Sequence, residues 1–245
     1  MNEVHSLLLA HRSIRSFADE VLPDETVAAI VRCGLAAATS SNVQATTVIR
    51  VRNLETRRRL AEVAGGQEHV VKCGAFLVWC ADLHRAATAS KMQGQAINSG
   101  QTEQFVIATV DVALAAQNAV VAAESLGLGI CYIGALRNDP AVVTELLELP
   151  DHVYPVFGLC IGTPAQNPEV KPRFPLGGTL MEETYRVDRE VDLIEEYDQT
   201  MRAYYRTRAG GNKESTWSSE MAGLVGKERR PHMRAFLAER GYEMR

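Results

Sequence analysis

The chain has 245 residues, 46% of them hydrophobic and 23% charged, with a net charge of −4. These ordinary values fit a globular enzyme and exclude disordered, collagen-like and coiled-coil classes. The charge is uneven: eight cations against three carboxylates put residues 202–234 at +5 and the remainder at −9, a balance that suits a small polyanion better than nucleic acid.

The first residues lack the basic-then-apolar order of a secretion signal, so a cytoplasmic protein is expected. A helix is predicted over 2–10, ending at the basic loop His11-Arg12-Ser13-Ile14-Arg15. Pro23-Asp24 marks the start of a second, with Val27, Ile30, Val31 and Leu35 at helical spacing until Thr39-Ser40-Ser41-Asn42 breaks the pattern. A β-branched run predicts a strand over 45–52. A helix over 54–64, closed by Gly65-Gly66, and a strand over 75–81 follow.

The longest helix is predicted over 103–126, with Phe105, Ala108, Val112, Ala115, Ala119, Val120 and Ala123 on one face. So many alanines let a partner helix approach closely. Asp111, Gln117, Asn118 and Glu124 argue against a membrane span. Gly127-Leu128-Gly129 ends this helix. A strand near 130–133, a helix over 139–148 and a strand over 154–162 come next. Four prolines and Gly177-Gly178 make 163–190 an extended connection to helices at 191–205 and 231–239. Without a regular βαβ rhythm, the expected class is α+β.

Five cysteines (Cys33, Cys73, Cys80, Cys131, Cys160) form no Cys-x-x-Cys pair and sit in apolar surroundings, so all five read as core thiols. The six histidines are scattered, and no metal is expected. Residues 127–132 begin like a dinucleotide fingerprint, but Tyr132 stands at the last glycine position. The helix also precedes the strand there, the reverse of the required order. Walker A and Gly-x-Ser-x-Gly sequences are absent.

What remains are clustered cations in loops. His11-Arg12-Ser13-x-Arg15 and Lys171-Pro172-Arg173 offer guanidinium forks, a hydroxyl and an ammonium that match phosphate oxygens. Taken alone, each reads equally well as a solvated turn, and the basic 202–234 segment as a solvated amphipathic helix.

These clusters occur in order with Gly65-Gly66-Gln67, Asp111-x5-Gln117-Asn118, Ala123-Glu124-Ser125-Leu126-Gly127-Leu128-Gly129, Tyr132-Ile133-Gly134, Leu136-Arg137-Asn138, Phe157-Gly158-Leu159-Cys160, Asn167-Pro168, Thr216-Trp217-Ser218 and Arg230-Pro231. The whole set strongly resembles the oxygen-insensitive NADPH nitroreductase and NADPH–flavin oxidoreductase group of the nitroreductase superfamily. The resemblance spans essentially the whole chain. It implies an α+β, nitroreductase-like fold with a central, mostly antiparallel sheet flanked by helices and a helical C-terminal extension. The expected division is an FMN-binding core over 1–162, then a connection and extension over 163–245 within the same domain. A homodimer with FMN at each subunit interface is implied too.

By the same resemblance, His11, Arg12, Ser13 and Arg15 hold the phosphate and one edge of the flavin, and Lys171 and Arg173 complete the site. Gln67, with His69 nearby, meets the pyrimidine side, and Tyr132, Ile133, Gly134 and Ala135 lie along the ring. Thr39 joins the cofactor site; Ser41, Arg208, Lys213 and Arg230 receive NADPH or substrate. Arg15 and Lys171 stabilise the reduced flavin, and no side chain is catalytic in its own right. Four residues depart from the family pattern. Ala38 shortens the serine loop, Asn42 replaces a bulkier apolar residue, Ala135 replaces a glycine and Lys213 an arginine.

The implied activity is ping-pong, two-electron reduction of nitroaromatics and quinones by NADPH through flavin N5. A flavin reductase that supplies reduced FMN is the alternative; a non-catalytic flavin-binding protein is a third. Neither nucleic acid nor membrane is expected as a partner. Gly210-Gly211 reads as a mobile segment of the coenzyme loop.

Overall fold

The computed structural model describes residues 2–209 and 211–245; Gly210, half of that glycine pair, lies outside the described residues. The elements in order are α1 (Glu3–Leu9), α2 (Asp24–Leu35), β1 (Thr46–Val51), α3 (Leu54–Val63), α4 (His69–Lys72), β2 (Ala75–Asp82), α5 (His84–Met92), α6 (Thr102–Ser125), β3 (Gly129–Ile133), α7 (Pro140–Leu146), β4 (Val153–Gly162), α8 (Glu190–Thr207), α9 (Trp217–Val225) and α10 (Met233–Glu239). The chain divides into two compact units, Met1–Gln166 with Arg230–Arg245, and Asn167–Arg229. The last part of the chain, with α10, groups with the first unit.

In the first unit the four strands pair antiparallel in the order β1-β2-β4-β3. The central strands β2 and β4 read as unbroken apolar runs because both sheet faces are covered. On one face Leu77, Trp79, Leu159 and Ile161 pack with α2 and α6; on the other Phe76, Val78, Cys80 and Cys160 pack with α3 and α7. Gly158 lies opposite Val78, where an added Cβ would come within 2.5 Å of the Phe76 ring. A bulge at Trp79/Cys80 admits Pro155 into β4, as bulges do, and Arg137 donates to the Val156 carbonyl beside it.

Helix α6 uses its alanines as expected. Gly34 of α2 meets it so closely that a Cβ there would lie 2.8 Å from the Ala115 carbonyl and 3.0 Å from the Ala119 Cβ. By length and composition α6 passes as a membrane span despite its four polar residues, yet Ala108, Val112, Ala115, Ala116, Ala119, Val120 and Ala123 are buried in the core. Its other side leaves Val106, Val110 and Leu114 exposed.

Some expectations need correction. Leu35 is exposed, because Gly34 rather than Leu35 faces α6. Cys33 is exposed for the same reason, whereas the other four cysteines are buried thiols. The short helix α4 and the helices α5 and α9 were not foreseen. α9 begins at Thr216, whose hydroxyl accepts from the Ser219 amide in a capping box, and Asp198 accepts from the Ser218 amide.

The second unit is organised by α8. Its buried Tyr197, Met201 and Tyr205 recur at four-residue spacing and pack with Phe174 and Trp217.

Candidate functional site

The loop after α1 is docked on β3 by its backbone. The Ile14 amide donates to the Ile130 carbonyl at 2.8 Å, and Ser13 bridges Ile130 in parallel. Ile14 fits because residue 129 is glycine: a Cβ there would lie 2.6 Å from the Ile14 Cγ1. Burying Ile14 fixes the residues on either side of it. His11 Nδ1 lies 2.6 Å from Glu124 Oε1 near the end of α6. Arg12 and Arg15 have no hydrogen-bond or ion-pair partner among the described residues, so two guanidinium groups stand ready for an external anion.

The turn between α3 and α4 brings the next group. Gly65 and Gly66 both have left-handed backbones, with φ of 79° and 78°, which glycine adopts without strain. They turn the chain so that Gln67 Nε2 donates to the Ala64 carbonyl at 2.8 Å, leaving its Oε1 as an acceptor. His69 follows at the start of α4, and its Nε2 is buried without a partner among the described residues. Burial lowers its pKa, and the charge of Arg15 lowers it further. Burial and Arg15 thus both disfavour protonation of this ring.

The third group is on β3 and the turn after it. Tyr132 packs edge-on against Phe157, with centroids 5.0 Å apart, and its hydroxyl donates to Gln117 Oε1 at 3.4 Å. Burial pushes the Tyr132 phenol up, and the charge of Glu124 adds to the shift. Ile133 buries its side chain in the core. Gly134 opens a 3₁₀ turn in which the Arg137 guanidinium would lie 3.2 Å from an added Cβ. The extra methyl of Ala135 packs against the core beside β3.

Glu124 thus touches His11 and acts electrostatically on Tyr132, so the loop after α1, the end of α6 and β3 share one polar neighbourhood. Its importance was not read from the sequence. An acidic residue near the end of an alanine-rich buried helix was the available signal. A second missed residue is Asp111, which is buried on α6 and accepts hydrogen bonds from Ser40 and Ala45. The loop carrying Thr39 and Ser41 is therefore tied to α6 at Asp111, whereas His11 is tied at Glu124. The two anchors are thirteen residues apart, about 20 Å along a helix that rises 1.5 Å per residue. One chain does not bring Thr39 and Ser41 beside His11.

In the second unit, Tyr197 donates to the Pro172 carbonyl at 2.8 Å and Arg173 Nη1 to the Lys171 carbonyl at 2.7 Å, which stiffens the Lys171-Pro172-Arg173 loop. Lys171, Arg208 and Lys213 converge on the Tyr205 ring, at 5.7, 5.2 and 4.4 Å from its centroid. Lys213 is also paired with Glu220 at 2.7 Å, and Arg208 Nε donates to the Gly211 carbonyl. Arg230, read from sequence with this group, belongs to the first unit, where its Nε donates to Asn138 Oδ1 at 3.0 Å.

The model of the nitroreductase family matches residues 8–163, and that of the nitroreductase family C-terminal domain matches residues 171–245. The chain is a member of the nitroreductase family. This family member is 44% identical to the NADPH-flavin oxidoreductase of Vibrio harveyi over 100% of both chains. It is 40% identical to the oxygen-insensitive NADPH nitroreductase of Salmonella typhimurium, again over 100% of both. Its structure matches that of the NADPH:FMN oxidoreductase from Vibrio harveyi complexed with NAD+ with a TM-score of 0.91, at 42% identity over 100% of both chains. The α+β class and the family expected from sequence are both borne out.

Proposed function

We propose that the protein is an FMN-dependent oxidoreductase that uses NADPH to reduce nitroaromatic compounds by two electrons, with quinones as further acceptors. The observation that carries this reading is the docked loop whose Arg12 and Arg15 have no partner among the described residues, with Arg15 near His69, whose buried Nε2 has none among them either. Uncompensated donors of this kind fit an anionic, ring-bearing cofactor; the names of the nitroreductase-family relatives support FMN and NADPH. Bound FMN supplies hydride chemistry, which no side chain provides.

In this reading His11, Arg12 and Ser13 hold the phosphate side, and Arg15 places positive charge near the flavin edge. Gln67 and His69 meet the pyrimidine side, and residues 132–135 line the ring. In the second unit Lys171 and Arg173 are cations suited to the FMN anion, and Arg208 and Lys213 to the coenzyme phosphate; Arg230 of the first unit is a further cation for the coenzyme. Thr39 and Ser41 serve the cofactor and acceptor from a second copy of the chain. Their distance along α6 from the His11 anchor supports a homodimer, as does the exposed stripe of Val106, Val110 and Leu114. The protein is placed in the cytoplasm.

A second reading is a flavin reductase that releases reduced FMN, favoured by the 44% identity to a protein named NADPH-flavin oxidoreductase. Purified protein should be yellow and bleach on anaerobic addition of NADPH. Values of kcat/KM for a nitrofuran, a quinone and free FMN then rank the acceptors. Protein that takes up no FMN and oxidises no NADPH overturns both readings.

A further inference from the structure

We infer that Asp111 is a positioning residue: it sets the shape of the loop that carries Thr39 and Ser41, and through that loop the fit of the electron acceptor. The inference rests on the proposed role of those two residues. Asp111 is 1% exposed on the apolar face of α6, a place where a carboxylate is tolerated only when its oxygens accept hydrogen bonds. Its Oδ1 accepts from the Ser40 amide and its Oδ2 from the Ala45 amide, each at 3.1 Å. It makes no ion pair among the described residues. One carboxylate therefore clasps both ends of the intervening segment.

Inside the clasp the backbone is strained. Ser41, Asn42 and Gln44 have φ values of 47°, 58° and 54°, the left-handed region that residues with a Cβ seldom adopt. Packing holds the segment only in part: Val43 packs against the core, whereas Thr39, Gln44, Thr46 and Arg85 border a cavity of about 280 Å³. Further bonds add to it: Val43 amide to Ser40 carbonyl at 2.9 Å, Arg85 Nη1 to Gln44 carbonyl at 3.1 Å, Gln44 Nε2 to Asn42 Oδ1 at 3.2 Å and Thr46 amide to Gln44 carbonyl at 2.8 Å. Strained backbone persists only where its surroundings over-determine it, and the two amide bonds to Asp111 supply much of that constraint. Strand β1 begins immediately after the clasp, so the segment cannot shed its strain by shifting along the chain.

Asparagine is isosteric with Asp111 but has one acceptor oxygen; its amide NH₂ must face either the Ser40 or the Ala45 N–H and release that end. In the Asp111→Asn enzyme, assayed at saturating FMN because Thr39 also serves the cofactor, KM for a nitrofuran should rise about tenfold, the scale of one lost hydrogen bond to a charged group. Anaerobic flavin bleaching by saturating NADPH should change far less. A variant with a lower Tm but the wild-type KM for the nitrofuran makes Asp111 structural only and overturns the inference.

Native-state hydrogen exchange on the wild type gives an independent check should the variant not fold. The Ser40 amide, although Ser40 is an exposed residue, should exchange as slowly as that of buried Ala45. Exchange at the rate of an open loop refutes the clasp. Wild-type protein without flavin or NADPH oxidation defeats the proposed function instead, and the Ser40 amide still decides whether the clasp exists.

Discussion

Replacing Glu124 by glutamine tests the polar neighbourhood at its hub. His11 Nδ1 and Glu124 Oε1 are 2.6 Å apart, with side chains 26% and 12% exposed. A carboxylate only accepts, so Nδ1 carries the proton and Nε2 is left for a ligand. Glutamine keeps the size but removes the charge, and can turn either its oxygen or its NH₂ toward the ring, so the tautomer is no longer fixed. Hydrogen bonds to charged groups contribute about 1.5–3 kcal/mol, and partial exposure of His11 selects the lower part, about 1.5–2 kcal/mol. If His11 orients FMN, the dissociation constant should rise roughly 10- to 30-fold, because 1.4 kcal/mol is tenfold.

The assay is titration of apoprotein with FMN, followed by quenching of flavin fluorescence, for wild type and Glu124→Gln. A second signal comes from Tyr132, whose ionisation burial and the Glu124 charge both oppose. Its ultraviolet titration should move to lower pH in the variant. An FMN affinity within twofold of wild type, in a protein with unchanged circular dichroism, refutes the role given to His11 and Glu124.

Gly158→Ala should destabilise the protein by about 1–3 kcal/mol, the usual range for overpacking a filled core, because the added Cβ would meet the fully buried Phe76 ring. An unchanged Tm in thermal unfolding would contradict the packing described. Arg208→Ala with Lys213→Ala should raise KM for NADPH roughly tenfold or more while leaving NADH nearly unaffected, since only NADPH carries the additional phosphate charge. Equal losses with both coenzymes would make the segment structural. His69 should give a pH signature. Its folded pKa is depressed by burial and then by Arg15, so below about 6.5 the unfolded chain binds a proton that the folded protein resists. Stability should therefore fall as pH drops through that value and level off below the depressed one, and His69→Asn should flatten this part of the Tm–pH profile; equal slopes would show that other groups titrate there.

Much of the fold was legible because its signals are local. The β-branched run at 46–51, the apolar runs of β2 and β4, and the left-handed glycines at 65, 66 and 127 each act within a few residues, so periodicity and composition suffice to read them. The alanine face of α6 likewise announced a close helix contact, which Gly34 supplies. The ordered motifs identified the family, since their joint presence constrains the chain far more than any one loop does.

Only the tertiary structure assigned the work of the acids on α6. Nothing in sequence tells that Asp111 faces the amides of Ser40 and Ala45, or that Glu124 faces His11, because these partners are 66 to 113 residues away and their pairing depends on how α6 crosses the unit. The same limit explains Leu35 and Cys33, which helical spacing makes plausible core residues until the position of α6 selects Gly34 instead. It also explains why Lys171 reads apart from Arg208 and Lys213 in sequence: the three meet only because α8 and its flanking loops fold onto one ring. Sequence sets which side chains are available at each turn of an element, but the long-range packing free energy decides which of them face one another.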